Sequence, residues 1–457
     1  MQKISKVLSI FLVVLMVLTA APLSGFVGLK IELPEWPTFE AKAAGEYFTS
    51  GYCGEITEAT DGTQISWVLD ENGVLTITGE GRMASEAFNY DLRIKKAVIG
   101  VGITNISSYA FANCKNLVDI EFPTTVTEIG ERAFYNCDSI TDVSFNQELE
   151  LIDDYAFYNC DNLNIVNFNE NLKEVSGYAF YNCDGITELN FTTGPELIDG
   201  MAFTDCDSIT ELNFKKGTKR IGYNAFGSCD ALTKIDFNEG LEDICMAAFS
   251  ECKNITELTF KEGLKIIDVG AFANCKSITE IILPESLETI SEKAFINCSN
   301  LSGEIIISDN VKIFEDNVFS GTKITSVYIG SGVTEMSSDT FSGCGSLSNI
   351  EVSENNSNYS SHSGALYNKA KTKMIVAPAA ISGTVIIPES VTEFSYTAID
   401  KCKNITNLNI EENNALYKSV DGIVYTADGK KLIVCPRGKI GAIATAEGTT
   451  NIDKYFQ

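Results

Sequence analysis

Apolar and polar positions along most of this chain recur with one fixed period. Phenylalanine stands at 111, 134, 157, 180, 203, 226, 249, 272 and 295, every step being 23 residues. Alanine precedes each ring. Cysteine follows three positions later, at Cys114, Cys137, Cys160, Cys183, Cys206, Cys229, Cys252, Cys275 and Cys298. Five residues before each ring stands Ile106, Ile129, Ile152, Val175, Ile198, Ile221, Ile244, Ile267 or Ile290. A short alternating run follows each cysteine, as at 117–122 and 209–214. Nine copies in phase mark a repeat array.

A 23-residue coil is too short to bury its own apolar side. Stacked on like coils, it lines up Ile on Ile and Phe on Phe, and a continuous core forms. In the run at 117–122, Ile120 and Phe122 share one face, so Asp119 and Glu121 share the other. The expectation is a mainly β solenoid with one strand per coil. Strands pair in parallel at ~4.8 Å, and some dozen coils make a rod of about 60 Å. Each Ala-Phe is expected in a tight turn or a single helical turn, with no long helices.

The register changes after Phe295. A one-residue insertion at Gly303 precedes Phe319, where Gly321-Thr322 replaces the cysteine, and Phe341 with Cys344 restores the pattern. The spacing then becomes 58, linking Met336, Phe394 and Ile452, Cys344 and Cys402, Tyr367 and Tyr425, and Pro378 and Pro436. Each long unit therefore reads as a coil carrying an insert, and the apolar runs at 365–376 and 423–434 predict a β-hairpin in each. At the other end, 65–69 and 74–77 flank a turn at 70–73, a hairpin expected to cap the first coil. The divisions are 1–43, 44–95 for the cap, 96–350 for regular coils and 351–457 for the long units. The chain stops at Gln457, where the next ring is due. A fragment, a covering partner or an atypical last coil would each explain that open edge.

The A-F-x-x-C-x-x-L-x-x-I-x-F spacing resembles the BspA-like class of bacterial leucine-rich repeats over residues 96–457. That resemblance implies a leucine-rich-repeat solenoid, secreted or displayed at the surface, of the kind involved in adhesion or protein binding. Hairpin inserts like those near the C-terminus also occur in this family.

The N-terminus reads as an export signal. Lys3 and Lys6 precede an apolar run from Val7 to about Leu18, and Ala41-Lys42-Ala43 offers a cleavage site after Ala43. Pro22, Ser24 and Gly25 interrupt the run before it reaches the ~20 residues of a spanning helix. Beyond residue 43 the chain holds 30 basic and 59 acidic residues, a net −29. So acidic a chain is not expected to bind nucleic acid, which needs a basic face. One histidine, His362, leaves no His-based metal cluster or triad. The sequence holds no G-x-S-x-G, phosphate loop or HExxH, so no catalytic residues, metal or cofactor are assigned.

The fourteen cysteines look at first like a disulfide inventory. Nine of them share one inward position, however, and strand spacing of ~4.8 Å exceeds the ~3.8 Å between Cβ atoms that a disulfide wants. They are read as a structural ladder of buried free thiols. The asparagines before them, such as Asn113 and Asn136, are expected to bond the backbone of their own turns. The outward strand columns are the candidate binding face: Asp119, Asp142, Glu188, Glu211, Lys234, Glu257 and Glu280 in one, Asn190 and Asn213 in the next. Glu188 beside Glu211, and Glu257 beside Glu280, would repel, which suggests a cationic or Ca²⁺-bridged partner against the alternative of a solvated face. Tyr135, Tyr158 and Tyr181 form an aromatic stripe that either grips a partner or packs on itself.

The expected function is non-catalytic adhesion or interaction with an extracellular protein or glycan. An accessory scaffold region of a larger secreted enzyme or cell-wall protein is the alternative. Self-association through the open C-terminal edge is a third expectation.

Overall fold

The computed structural model describes residues 49–441 and 445–452. The signal-like segment and its cleavage site lie outside the described residues, as does the end of the chain from 453. The architecture is a solenoid of 23-residue coils with a β cap at its N-terminal side.

The core is a stack of identical layers. The rings from Phe111 to Phe295 are wholly buried. Neighbouring rings lie nearly parallel, with centroids 5.0 to 5.4 Å apart. Each Ala-Phe sits in a turn flanked by two left-handed residues, for instance Tyr155 (φ 59°) and Asn159 (φ 55°). Asparagine tolerates that conformation better than most residues, which explains its recurrence before the cysteine. The turn is held by its neighbour. The Phe157 amide donates to Ala179 O at 2.7 Å and the Asn159 amide to Tyr181 O at 3.0 Å. The only described helical turn is a 3₁₀ segment at Tyr396–Ala398.

Two parallel ladders run along the array, not one. In the first, each coil contributes two residues, such as Glu128–Ile129, Leu151–Ile152 and Glu174–Val175, and eleven such strands pair continuously. The sequence pattern shows only its buried Ile column. The predicted strands form the second ladder, and it is discontinuous. Asp142–Ser144, Ile165–Phe168 and Glu188–Phe191 make one three-stranded sheet; Glu211–Asn213, Lys234–Asp236 and Glu257–Thr259 make the next. Continuous pairing at ~4.8 Å is therefore corrected. The spacing of the phenylalanines closing these strands does not mark the breaks: centroids are 4.8 Å apart for Phe168 and Phe191 and 5.8 Å for Phe145 and Phe168 within one sheet, and 6.0 Å for Phe191 and Phe214 across the break. A second break separates Phe122 from Phe145, at 5.9 Å. The hydrogen bonds of the strand side give way at intervals.

The cap hairpin forms as expected, with Ile65–Leu69 antiparallel to Val74–Gly79, and gains Ser50–Tyr52 as a third strand. Val74–Gly79 then pairs in parallel with Lys96–Ile99, joining the strand side. Trp67 meets Phe88 edge-on at 5.5 Å, and Phe88 stacks on Phe111 at 5.3 Å. Phe88 lies one period before Phe111, so the stacked coils begin ahead of residue 96. Both inserts are three-stranded meanders rather than bare hairpins: Tyr359–His362, Ala365–Asn368 and Met374–Val376, then Tyr417–Val420, Ile423–Thr426 and Lys431–Val434. Lys431–Val434 also pairs in parallel with Asn451–Ile452, so the second insert supplies a strand to the stack.

Phe180 is buried between two parallel rings, so its loss leaves a cavity that neither neighbour can fill. Phe180→Ala should cost about 3–5 kcal/mol, read as a fall in the denaturant midpoint, whereas exposed Val118→Ala should cost less than about 0.5.

Candidate functional site

On the strand side, the first predicted column is brought into line within each sheet. Asp142, Ile165 and Glu188 are cross-strand neighbours, as are Glu211, Lys234 and Glu257. Lys96 pairs with both Asp119 and Glu121, at 2.7 and 2.5 Å, and these carboxylates push its ammonium pKa up. Lys234 reaches Glu257 at 3.5 Å. Glu188 and Glu211, however, lie on opposite sides of a sheet break, and Glu280 lies in a segment without strand pairing. Neither Glu–Glu pair is hydrogen-bonded across the ladder, although the residues of each stand on successive coils.

In the second column, Asn190 Nδ2 donates to Asn167 Oδ1, and Asn167 Nδ2 to Ser144 Oγ, both at 3.0 Å. Asn213 accepts from Lys215 at 3.3 Å. The column then turns apolar. Ile282 is 84% exposed and Ile306 59% exposed, and Tyr328 pairs beside Ile306.

The tyrosine stripe packs on itself. Tyr135, Tyr158 and Tyr181 stack at 4.9 and 5.1 Å with rings within 9° of parallel. A second row, Tyr155 on Tyr178, stacks beside it at 4.7 Å. Arg132 continues that row, its guanidinium 4.3 Å from the Tyr155 ring centre and hydrogen-bonded to Tyr109 Oη at 2.9 Å. The ring faces are thereby occupied, and edges and hydroxyls remain at the surface. Burial pushes the Tyr158 hydroxyl up to about 12.

Two columns escaped the sequence reading because they show only when coils are aligned vertically. At the position after the cysteine stand Asp138, Asp161, Asp184, Asp207 and Asp230, ended by Lys115 and Lys253. The lysines pair with the outer two, at 3.2 and 3.3 Å. Burial, then the neighbouring aspartates, raise Asp184 above the ordinary 3.8. On the continuous ladder, charges alternate from coil to coil and neutralise one another: Glu150–Lys173, Glu196–Lys219, Glu242–Lys265 and Glu288–Lys312, at 2.6 to 3.2 Å.

All nine ladder cysteines are wholly buried and free. Each thiol donates to the carbonyl of the preceding coil's phenylalanine, at 2.9 to 3.3 Å, as Cys183 does to Phe157 O. Burial makes the thiolate costly, so the pKa values of Cys137 and its successors rise; that of Cys298 reaches about 12. The asparagines before them bond along the stack, Asn136 Nδ2 to Asn113 Oδ1 at 3.0 Å, rather than to the backbone of their own turns. His362 lies 3.5 Å from Glu411 within the first insert region, and burial lowers its pKa. Among the described residues no group of three or more His, Cys, Asp or Glu is placed to hold a metal ion. A shallow groove of about 510 Å³ is lined by Glu292, Phe314, Glu315, Asp316, Glu335 and Tyr359.

The 23-residue unit, its Ala-Phe turn and its cysteine ladder are matched by the profile described as the BspA type leucine-rich repeat region, over residues 82–206, 173–302 and 266–382, in six copies. The chain belongs to this family. Among solved structures, this BspA-type chain is similar to a leucine-rich cell surface protein from Faecalibacterium prausnitzii, with 24% identity over 64% of this chain and 94% of the other, at a TM-score of 0.35. A leucine-rich-repeat protein from Bacteroides ovatus is 17% identical over 64% and 98%, at 0.34. One from T. pallidum is 19% identical over 53% and 90%, at 0.31. No curated protein matches the chain. Among the described residues no helix is long and apolar enough to cross a membrane.

The aspartate row generates a pH prediction. A carboxyl whose folded pKa is raised contributes stability below its unfolded value near 3.8, and loses that contribution as pH rises through the folded value. At pH 7 ionised Asp184 therefore opposes folding. Asp184→Asn should raise the unfolding midpoint at pH 7 and leave it unchanged near pH 3, as measured by thermal melts at both.

Proposed function

We propose that this BspA-type array is an exported, non-catalytic interaction module, at the bacterial surface or in the medium, that binds an extracellular protein or glycan through its strand side. One observation carries the reading. Buried layers are filled by Phe, Ile, Ala and hydrogen-bonded thiols, while the chemically varied side chains stand outward in rigid, regularly spaced rows. Such rows suit recognition of an extended surface, as repeat solenoids commonly provide. Export rests on the Lys3, Lys6 and apolar-run pattern of the first residues.

The immobilised chain, exposed to host mucus, matrix and bacterial envelope fractions, should retain a defined partner whose binding falls in a Glu188→Lys, Glu211→Lys variant. Retention no greater than that of an unrelated protein of equal net charge would overturn the proposal.

A further inference from the structure

Along most of the strand side, the second outward column is polar, running from Glu121 through Ser144, Asn167, Asn190, Asn213 and Asp236 to Thr259. Three consecutive coils then present Ile282, Ile306 and Tyr328. Ser302 N donates to Thr279 O at 3.1 Å ahead of the Gly303 insertion, the buried inward residues set the alignment beyond it, and Ile306 pairs with Tyr328 in the ladder. Ile281, Ile305 and Val327 are the inward members of these coils and are buried. Ile282 and Ile306 are therefore not displaced core residues. They stand on the solvent face by the alternation of the strand. Adjacent exposed aliphatics on successive rungs make a patch, unlike the isolated exposed residues common on any surface.

Its border is acidic. The neighbouring column reads Glu257, Glu280 and Glu304, all exposed. The nearest lysine past the polar column, Lys261, is bound to Asp236 at 3.1 Å. Glu257 is held by Lys234, while Glu280 and Glu304 have no ion pair among the described residues. The support is an extended strand pair, Ser302–Ile307 with Lys323–Ile329, longer than the three- and four-residue strands of the regular coils before it.

We infer that Ile282, Ile306 and Tyr328 form a docking strip for a basic, amphipathic segment of a partner protein. Its apolar side chains lie on the strip and its lysines or arginines meet Glu280 and Glu304. Charge complementarity selects this occupant: an apolar anchor inside an acidic border rejects another acidic surface, and this chain is itself strongly acidic. The inference rests on the interaction-module reading and names its site and partner chemistry.

The test uses the full chain and a short peptide alternating lysine and leucine, with its glutamate–leucine counterpart as control, followed by fluorescence anisotropy. The lysine peptide should bind and the glutamate peptide should not. Ile282→Ser with Ile306→Ser should weaken binding by about tenfold, as loss of a central apolar anchor does. Glu280→Gln with Glu304→Gln should weaken it comparably. Glu148→Gln with Glu170→Gln, the same change of charge at exposed positions outside the candidate face, should leave it within about twofold. Equal weakening by both acidic pairs would mean diffuse charge attraction and would overturn the inference, as would unchanged binding by the isoleucine variant. Dimerisation of the wild-type chain that the isoleucine variant abolishes would overturn it in favour of a second copy. If the isoleucine variant still captures the partner found in envelope or host fractions, the strip is wrong and the module reading stands. If no partner is captured while the peptide binds the strip, the module reading fails and the peptide site stands.

Discussion

Each coil is fastened to the one before it by the same two contacts, a ring on a ring and a thiol on a carbonyl. Phe180 lies on Phe157 at 5.0 Å, and Cys183 donates to Phe157 O at 3.0 Å. The ring excludes water from the layer, and the thiol satisfies a carbonyl that the turn geometry leaves without a strand partner. A coil of this length has no core without its neighbours. The turn depends on stacking too: Tyr155 and Tyr178 adopt left-handed backbone that costs about 1 kcal/mol or more alone, and hydrogen bonds to the next coil hold them there.

The core rings stack at about 5.0 to 5.4 Å along the whole array. On its two sides the backbone pairing differs: the two-residue ladder is continuous, and the strand side falls into groups of three. The candidate binding face is thus a set of short sheets, with charges aligned inside each. Elsewhere the array handles its own charge and aromatic surface, by Glu–Lys alternation on the continuous ladder and by tyrosine stacking at the turn. What stays uncommitted is concentrated on the strand side, where Ile282 and Ile306 stand exposed.

Columns that repeat one residue type were legible in the sequence: Ile129 and its equivalents, the Phe and Cys columns, and the outward alternation at Asp119 and Glu121. The continuous ladder was not, because its outward position varies among Glu128, Leu151, Arg220 and Ile266, and two residues carry too little period to register. Phe88 was passed over because Asp91 stands where its cysteine would be. The left-handed turns were only half visible: Asn159 advertises that backbone, whereas Tyr155 and Met201 do not. The breaks of the strand side could not be read at all, since no residue type marks them. Of the candidate surface, the acidic column was found, while the aspartate row and the apolar strip required comparing the same position across coils.

The thiol–carbonyl ladder is tested most directly by counting free thiols with a chromogenic disulfide reagent, in the folded chain and after denaturation under non-reducing conditions. The account predicts that all fourteen cysteines react once the chain is unfolded, and that the nine ladder thiols are silent in the folded protein. A denatured count near zero would mean that the cysteines are paired, and the ladder that keeps the coils in register would be contradicted.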